Sequence, residues 1–440
     1  MSNDILEEKV GSELIYRIND KPPLKIAIAL AIQNIMAAFS GIVAVPLVVG
    51  QALGLSPADM TFMVSATLFA SGLATLIQSH GVGPIGSRLP CIMGTDFTFV
   101  GPGIAVGTAF GLPAYFGATI FGSFLEMILS RLIKPLRRFF PPAVTGIVVT
   151  LIGLTMLPVA VDWSAGGSGV SDYGSLKYIL LSFIVMAIIV LLNQSGKGFF
   201  SVGAILIGII SGYIISIPMG LLDITPVKEA AWLSFPRPFK FGIDVNITAI
   251  LTFLPAYIVT AIETIGDLIS VASASEHEIT GDELSAGILS DGVGSFLAGI
   301  FNAGPHTSFS QNVGIIPLTG VASRYVVMLS GIILMLSGIF PKLGALVAIM
   351  PNPVLGGAGI MMFGMIAVGG LKILKDVNFN RRNSLIVAIA IGLGLSVVYR
   401  PEILNNFPKA FSTIFQSGMT TGTITAIILN MILPGGEKAA

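Results

Sequence analysis

Apolar runs long enough to cross a bilayer recur along this chain, near residues 24–50, 60–79, 112–130, 142–161, 176–193, 200–218, 247–272, 284–301, 323–340, 345–370, 384–399 and 411–433. A helix needs about 20 predominantly apolar residues to span the hydrocarbon core. In lipid every backbone N–H and C=O must be satisfied within the protein, which leaves helices and closed barrels as the only spanning structures. Runs of this length predict an all-α polytopic membrane protein. Composition agrees, since 54% of residues are hydrophobic and 10% charged, far from the balance of a soluble domain. A net charge of zero gives no electrostatic basis for binding nucleic acid. The first 23 residues are polar, carry both signs of charge and lack an apolar h-region, so no cleavable signal peptide is expected. The expected organisation is a cytoplasmic N-terminal segment (1–23), one integral membrane domain (24–433) and a cytoplasmic tail (434–440), in the cell (inner) membrane.

Two further segments, about 89–108 and 303–320, lie between strong spans but are polar and glycine-rich. Non-helical backbone at membrane depth is tolerated only where it is buried in protein or lines a cavity. Each segment is therefore expected to be a half-helix preceded by a short extended strand, the two meeting near the bilayer midplane. That gives fourteen segments. With the N-terminus inside, sixteen Lys and Arg residues, among them Lys25, Arg131, Arg137, Arg138, Arg381 and Arg382, fall on the cytoplasmic side. Seven (Lys177, Lys228, Arg237, Lys240, Lys342, Arg400 and Lys409) fall outside, as the positive-inside rule requires. Pro142, Gly146 and Gly153 recur as Pro353, Gly357 and Gly364, a constant offset of 211 residues. Seven segments per half put the two copies in opposite orientation, the 7+7 inverted repeat of many secondary transporters, with substrate held where the broken segments meet.

Two constellations carry chemistry. Gln311 to Gly320 is a polar interruption between apolar runs, and Glu263-Thr264-Ile265-Gly266-Asp267 places two carboxyl groups at i and i+4 inside the apolar run 247–272. That spacing puts both on one helix face. Ionisable residues inside a membrane are costly and mark substrate or ion pathways, and burial disfavours the charged form of any carboxyl group, which suits one for exchanging protons. Other signals are weaker. Gly81 to Gly86 matches GxGxxG without a βαβ context and is expected to be a turn. His80, His277 and His306 show no metal spacing, and the single cysteine, Cys91, excludes an intramolecular disulfide. No metal or cofactor is expected. Glu276, His277, Glu278, Asp282 and Glu283 are expected to be a solvated charge run, and Trp163 and Trp232 to be interfacial anchors in external loops.

The Gln-Asn-x-Gly-x-x-x-x-Thr-Gly spacing of residues 311–320, the Glu263-x-x-x-Asp267 helix, and Leu89-Pro90 followed by Gly94-Thr95-Asp96-Phe97 together resemble the nucleobase-ascorbate transporter family, of the xanthine and uric acid permease type. The resemblance implies that Glu263 bonds ring N–H groups of a base, Gln311 contacts its opposite polar edge and Phe97 stacks on the ring. Backbone amides of the two broken segments, Val313 among them, complete recognition. It further implies that Asn312 and Gly314 hold the signature segment in shape, that Asp267 tunes or relays a proton, and that Thr319 shapes packing and access. Two positions depart from the family pattern. Asn34 stands where many relatives have histidine, and so hydrogen-bonds without carrying a proton. Asp96 stands where a small polar residue or Asn is common, and three roles stay open for it: substrate contact, proton sharing with Glu263, or capping of the following half-helix.

The function expected is import of a purine nucleobase, xanthine and/or uric acid, by proton symport through alternating access. The resemblance implies a core domain from segments 1–4 and 8–11, a gate domain from segments 5–7 and 12–14, and a homodimer through the gates. The recognition set of carboxylate, carboxamide and aromatic face suits a flat heterocycle with N–H donors and carbonyl acceptors. A uracil or pyrimidine symporter is the nearest alternative. An anion transporter of the same fold is the other, and a carboxylate at Glu263 opposes it. No nucleophile–base pair or ATP-binding motif points to an enzyme or a pump.

Overall fold

The computed structural model describes residues 14–132, 141–195, 199–309 and 312–434. In the first half, α1 (Leu24–Ala52) and α2 (Pro57–His80) lead to β1 (Met93–Thr95), a 3-10 turn (Phe97–Phe99), α3 (Val100–Phe110) and α4 (Leu112–Leu129). Helices α5 (Pro142–Ser164), α6 (Leu176–Ser195) and α7 (Ala204–Ser216) follow. The second half repeats that order with α8 (Ile247–Ala274), α9 (Gly281–Ile300), β2 (His306–Ser308), α10 (Ile315–Thr319), α11 (Arg324–Ile339), α12 (Pro341–Ala348), α13 (Asn352–Lys375), α14 (Arg381–Tyr399), α15 (Lys409–Phe415) and α16 (Gly418–Ile432). The fold is all-α and polytopic apart from the two short strands.

Among the described residues eight helices are individually long and apolar enough to cross a membrane, while α11 and α12 meet that test only together and are bent by 82°. The fourteen expected segments are therefore not fourteen continuous spans. The run 345–370 breaks because Pro351 precedes α13 and Pro353 lies in its first turn. Proline lacks an N–H and keeps the residue before it out of the helical region. The run 411–433 breaks at Ser417, whose side chain caps α16 by accepting from Thr420 N at 3.3 Å.

The helices pack in two groups. Helices α2 and α4 pack on α11, α12, α8 and α9, with α1 against α11, while α5, α6 and α7 pack with α13, α14 and α16. Pro142 opens α5 and Pro353 lies in the first turn of α13, so the 211-residue offset relates two helices that lie against each other. Glycine makes their close approach possible: a Cβ on Gly153 would lie 2.6 Å from the Phe363 carbonyl oxygen.

Between the halves of the first group β1 and β2 pair antiparallel, with Met93 opposite Ser308, Gly94 opposite Thr307 and Thr95 opposite His306. All six residues are buried. The covering helices satisfy the strands' outward backbone groups, Met93 N donating to Thr75 Oγ1 at 2.9 Å and His306 N to Ser295 Oγ at 2.9 Å. A strap before α1 supports the end of the second broken segment. Ile15 N donates to Gly320 O at 2.7 Å, Ala322 N to Tyr16 O at 2.8 Å and Arg324 N to Ile18 O at 3.0 Å.

Candidate functional site

The β1–β2 junction gathers the polar groups of the protein interior. Asp96 follows β1 and caps the 3-10 turn, its Oδ1 accepting from Thr98 N at 2.8 Å. Its Oδ2 is buried without a partner. Phe97 is buried and meets Phe363 of α13 edge-on, ring centroids 5.4 Å apart. On α8, Asp267 Oδ2 accepts from Ser308 of β2 at 3.2 Å. The Ser308 hydroxyl also reaches Thr264 Oγ1 at 3.1 Å, and Thr264 donates to Asp291 of α9. Asp291 Oδ1 accepts in turn from Gln78 Nε2 of α2 at 3.4 Å. A buried polar chain thus ties α2, α8, α9 and β2 together.

Glu263 lies within electrostatic reach of Asp96, Asp267 and Asp291 and also borders a second space. A narrow crevice between α5 and α8 is lined by Thr145, Val148 and Val149 on one side and Val259, Ile262 and Glu263 on the other. Its Oε2 is buried without a hydrogen-bond partner. The i,i+4 pair therefore divides: Asp267 bonds inward to β2, and Glu263 lines the seam between the two helix groups.

His306 Nδ1 lies 2.8 Å from Gly304 O, which can only accept, so Nδ1 carries the proton and Nε2 of the neutral ring accepts from the Ser71 hydroxyl at 2.9 Å. The ring is a structural hydrogen bonder. Among the described residues the ion pairs are Lys177–Asp172, Lys240–Asp59 and His277–Glu283, so Asp96, Glu263, Asp267 and Asp291 have no basic partner there. No grouping of His, Cys, Asp and Glu among the described residues has the arrangement of a metal site.

The sequence pattern of the permease family matches residues 25–403. The chain belongs to the permease family. The permease is 52% identical over 420 residues to a putative purine permease of Clostridium perfringens, covering 96% of this chain and 93% of that one. It is 40% identical to a xanthine permease of Bacillus subtilis, covering 94% of each chain. It is 39% identical to a uric acid transporter of Escherichia coli, covering 94% of this chain and 87% of that one. Its fold is similar to the transmembrane domain of a cyanobacterial bicarbonate transporter, with a TM-score of 0.62 at 16% identity, covering 90% of this chain and 99% of that one. These relatives are permeases and transporters, not enzymes.

In the permease the signature segment continues from β2. Gln311 lies outside the described residues. Asn312 Nδ2 donates to Asn34 O of α1 at 2.9 Å and approaches Asn34 Oδ1 at 3.4 Å. Asn34 Nδ2 donates to Leu30 O of its own helix. Val313 packs on the apolar cluster beneath α8, Gly314 caps α10, and Thr319 Oγ1 donates to Ile315 O at 2.8 Å. Gly320 then ends α10 with a left-handed φ of 68°.

Several participants lay outside the sequence reading. Asp291 and Glu126 are fully buried carboxyl groups on α9 and α4, and Thr260 donates to Glu126 Oε1 at 2.9 Å. Each interrupts an apolar run as Glu263 does, so the same signal marked them. Thr264, Ser308 and Phe363 carry no such mark. Trp163 corrects an expectation: it is buried inside α5 and donates to Gln51 Oε1 at 2.6 Å, so it does not anchor in the interface. Trp232 is exposed, with Lys342 Nζ 5.0 Å from its ring centre.

Proposed function

We propose that the permease imports a purine nucleobase, xanthine and/or uric acid, together with a proton, by alternating access. The names of its relatives support the substrate class. Glu263 carries the reading, because an unpartnered carboxyl group at the seam of two helix groups is placed to accept from ring N–H groups. Gln311 contacts the opposite edge, and Phe97 supplies the aromatic face, with Asp96 and the Val313 amide beside it. Asn312, Asn34, Gly314 and Thr319 hold the signature segment, and Asp267 is poised to pass the proton.

Proton coupling rests on electrostatics. A carboxylate taken out of water without a basic partner costs several kcal/mol, and a bound proton removes that cost. Release of the proton on the far side then ties its movement to that of the base. Helices α1–α4 and α8–α11 act as the core and α5–α7 and α13–α16 as the gate, which moves against the core around the site. The permease works in the cell (inner) membrane with both termini cytoplasmic, as a homodimer through its gates.

Uptake of labelled xanthine into proteoliposomes, with and without an inward proton gradient, tests the reading. The expected result is gradient-driven uptake blocked by excess uric acid and not by uracil. It fails with uracil uptake in place of xanthine, or with unchanged purine transport in both Glu263→Gln and Gln311→Ala.

A further inference from the structure

Among the described residues, side-chain hydrogen bonds join the two helix groups toward one end. Gln51 lies in the last turn of α1, one crossing away from the N-terminal strap. Its Oε1 accepts from Trp163 Nε1 at 2.6 Å, and its Nε2 donates to Asn352 Oδ1 at 3.1 Å. Asn352 Nδ2 donates to Gly166 O at 3.0 Å. One side chain of the first group is thereby bonded to the last turn of α5 and the first turn of α13, both in the second. A second tie lies at the same end: Lys409 Nζ of α15 donates to Ala109 O of α3 at 3.2 Å and sits 4.9 Å from the Phe110 ring centre. At the opposite end of α5, Thr145 borders the crevice that reaches Glu263. Thr145 and Trp163 are about 27 Å apart along the helix at 1.5 Å per residue. One end of α5 is bonded to α1, and its other end borders the site.

We propose that Gln51, Trp163 and Asn352 form a latch that holds the two groups together at the end opposite the N-terminus, and that this latch must open for the site to face that side. The inference rests on the two-group movement proposed above but on neither the substrate nor the coupling ion. Chemistry suits the role. A carboxamide both donates and accepts, so Gln51 satisfies an indole N–H and an amide oxygen at once. Neutral hydrogen bonds of this kind each contribute modestly because water replaces them on opening, as a reversible closure requires. A permanent tether would be served by apolar packing alone.

The chain has two tryptophans, so Trp232→Phe leaves Trp163 as sole reporter. Cys91 is the only cysteine, so Cys91→Ser with Thr145→Cys gives a single thiol at the far end of α5. Acrylamide quenching of Trp163 and maleimide labelling at position 145 are measured on purified protein without substrate. In Gln51→Ala, quenching is expected to rise severalfold and labelling to fall severalfold together, since losing two bonds moves the equilibrium between the two arrangements roughly tenfold. Trp163→Phe, which removes one of the two bonds and is read by labelling alone, is expected to give a smaller fall in the same direction and guards against misfolding of the first variant. Raised quenching with unchanged labelling would mean a local tether and would overturn the latch. So would no change in either. Failure of xanthine uptake in the wild-type chain would overturn the purine reading and leave these results standing.

Discussion

The Phe309 ring, just after β2, occupies space that two glycines leave open. A Cβ on Gly41 of α1 would lie 2.6 Å from its Cε1, and one on Gly94 of β1 would collide with its other edge and lie 2.7 Å from Ile42. The ring is confined on both sides and cannot give way. Gly41→Ala is expected to destabilise the permease by about 1–3 kcal/mol, the usual range for overpacking, and Phe309→Leu in the same chain to restore most of it. Thermal unfolding of the two single variants and the double variant in detergent checks this, and additive losses would refute it. Thr264 is the second sensitive point, because its one hydroxyl contacts Asp291, Ser308 and Thr307. Thr264→Val keeps the volume and strands those groups, at about 1–3 kcal/mol for a buried unsatisfied polar group. Thr264→Ser should recover near wild-type stability; equal losses in both variants would place the effect in packing. The carboxyl groups of this site were visible in the sequence as charges in apolar runs. Thr264 and Ser308 were not, because a hydroxyl inside a membrane helix is common and only the facing helix decides whether it bonds its own turn or a neighbour.

At the scale of elements, the strap over residues 15–20 and the signature segment depend on each other. Gly320 O accepts from both Ile15 N and Tyr16 N, Ala322 N and Arg324 N donate back, and Ser323 Oγ donates to Asp20 O at 2.6 Å. Removing residues 1–20 strips the bonds from Ala322 and Arg324 and uncovers the cluster on which Leu14, Ile18 and Val313 pack. Amide exchange at Ala322 and Arg324 is expected to accelerate at least tenfold in the truncated chain, while amides in the middle of α2 stay protected. Unchanged exchange at 322 and 324 would show that the strap merely rests there. The apolar runs predicted the long helices because length and hydropathy fix a spanning helix without reference to neighbours. The half-turn geometry after β2 was less legible. The second half-helix is only Ile315–Thr319, and a three-residue strand is too short to display alternation. The breaks at Pro351 and Ser417 fall inside runs that are apolar overall, so they depend on proline and cap chemistry. Trp163 escaped for a third reason: the residue that accepts its indole N–H, Gln51, is 112 positions away.

For the molecule as a whole, proton coupling through the unpaired carboxyl groups, as proposed, predicts an electrical signature of transport. Asp96, Glu126, Glu263, Asp267 and Asp291 lie within the membrane domain, and among the described residues none forms an ion pair. If a neutral base enters with a proton, each cycle carries one positive charge inward. A membrane potential acts on that charge with about 2.3 kcal/mol per 100 mV, equivalent to about fifty-fold accumulation at equilibrium. Proteoliposomes with equal pH on both sides and an inside-negative potassium diffusion potential should therefore take up labelled xanthine faster and further than liposomes without the potential. Replacing sodium by choline throughout should change nothing, whereas a protonophore should abolish the effect, since protons then equilibrate with the potential and the proton electrochemical gradient that drives symport disappears. In Glu263→Gln, binding of the base and potential-driven uptake should fall together, because in the proposed cycle the same carboxyl group both holds the ring N–H and takes the proton. Potential-driven uptake that requires sodium would instead assign the buried carboxyl groups to a sodium-coupled cycle, and would leave the seam at Glu263 as a binding site without a role in proton transfer.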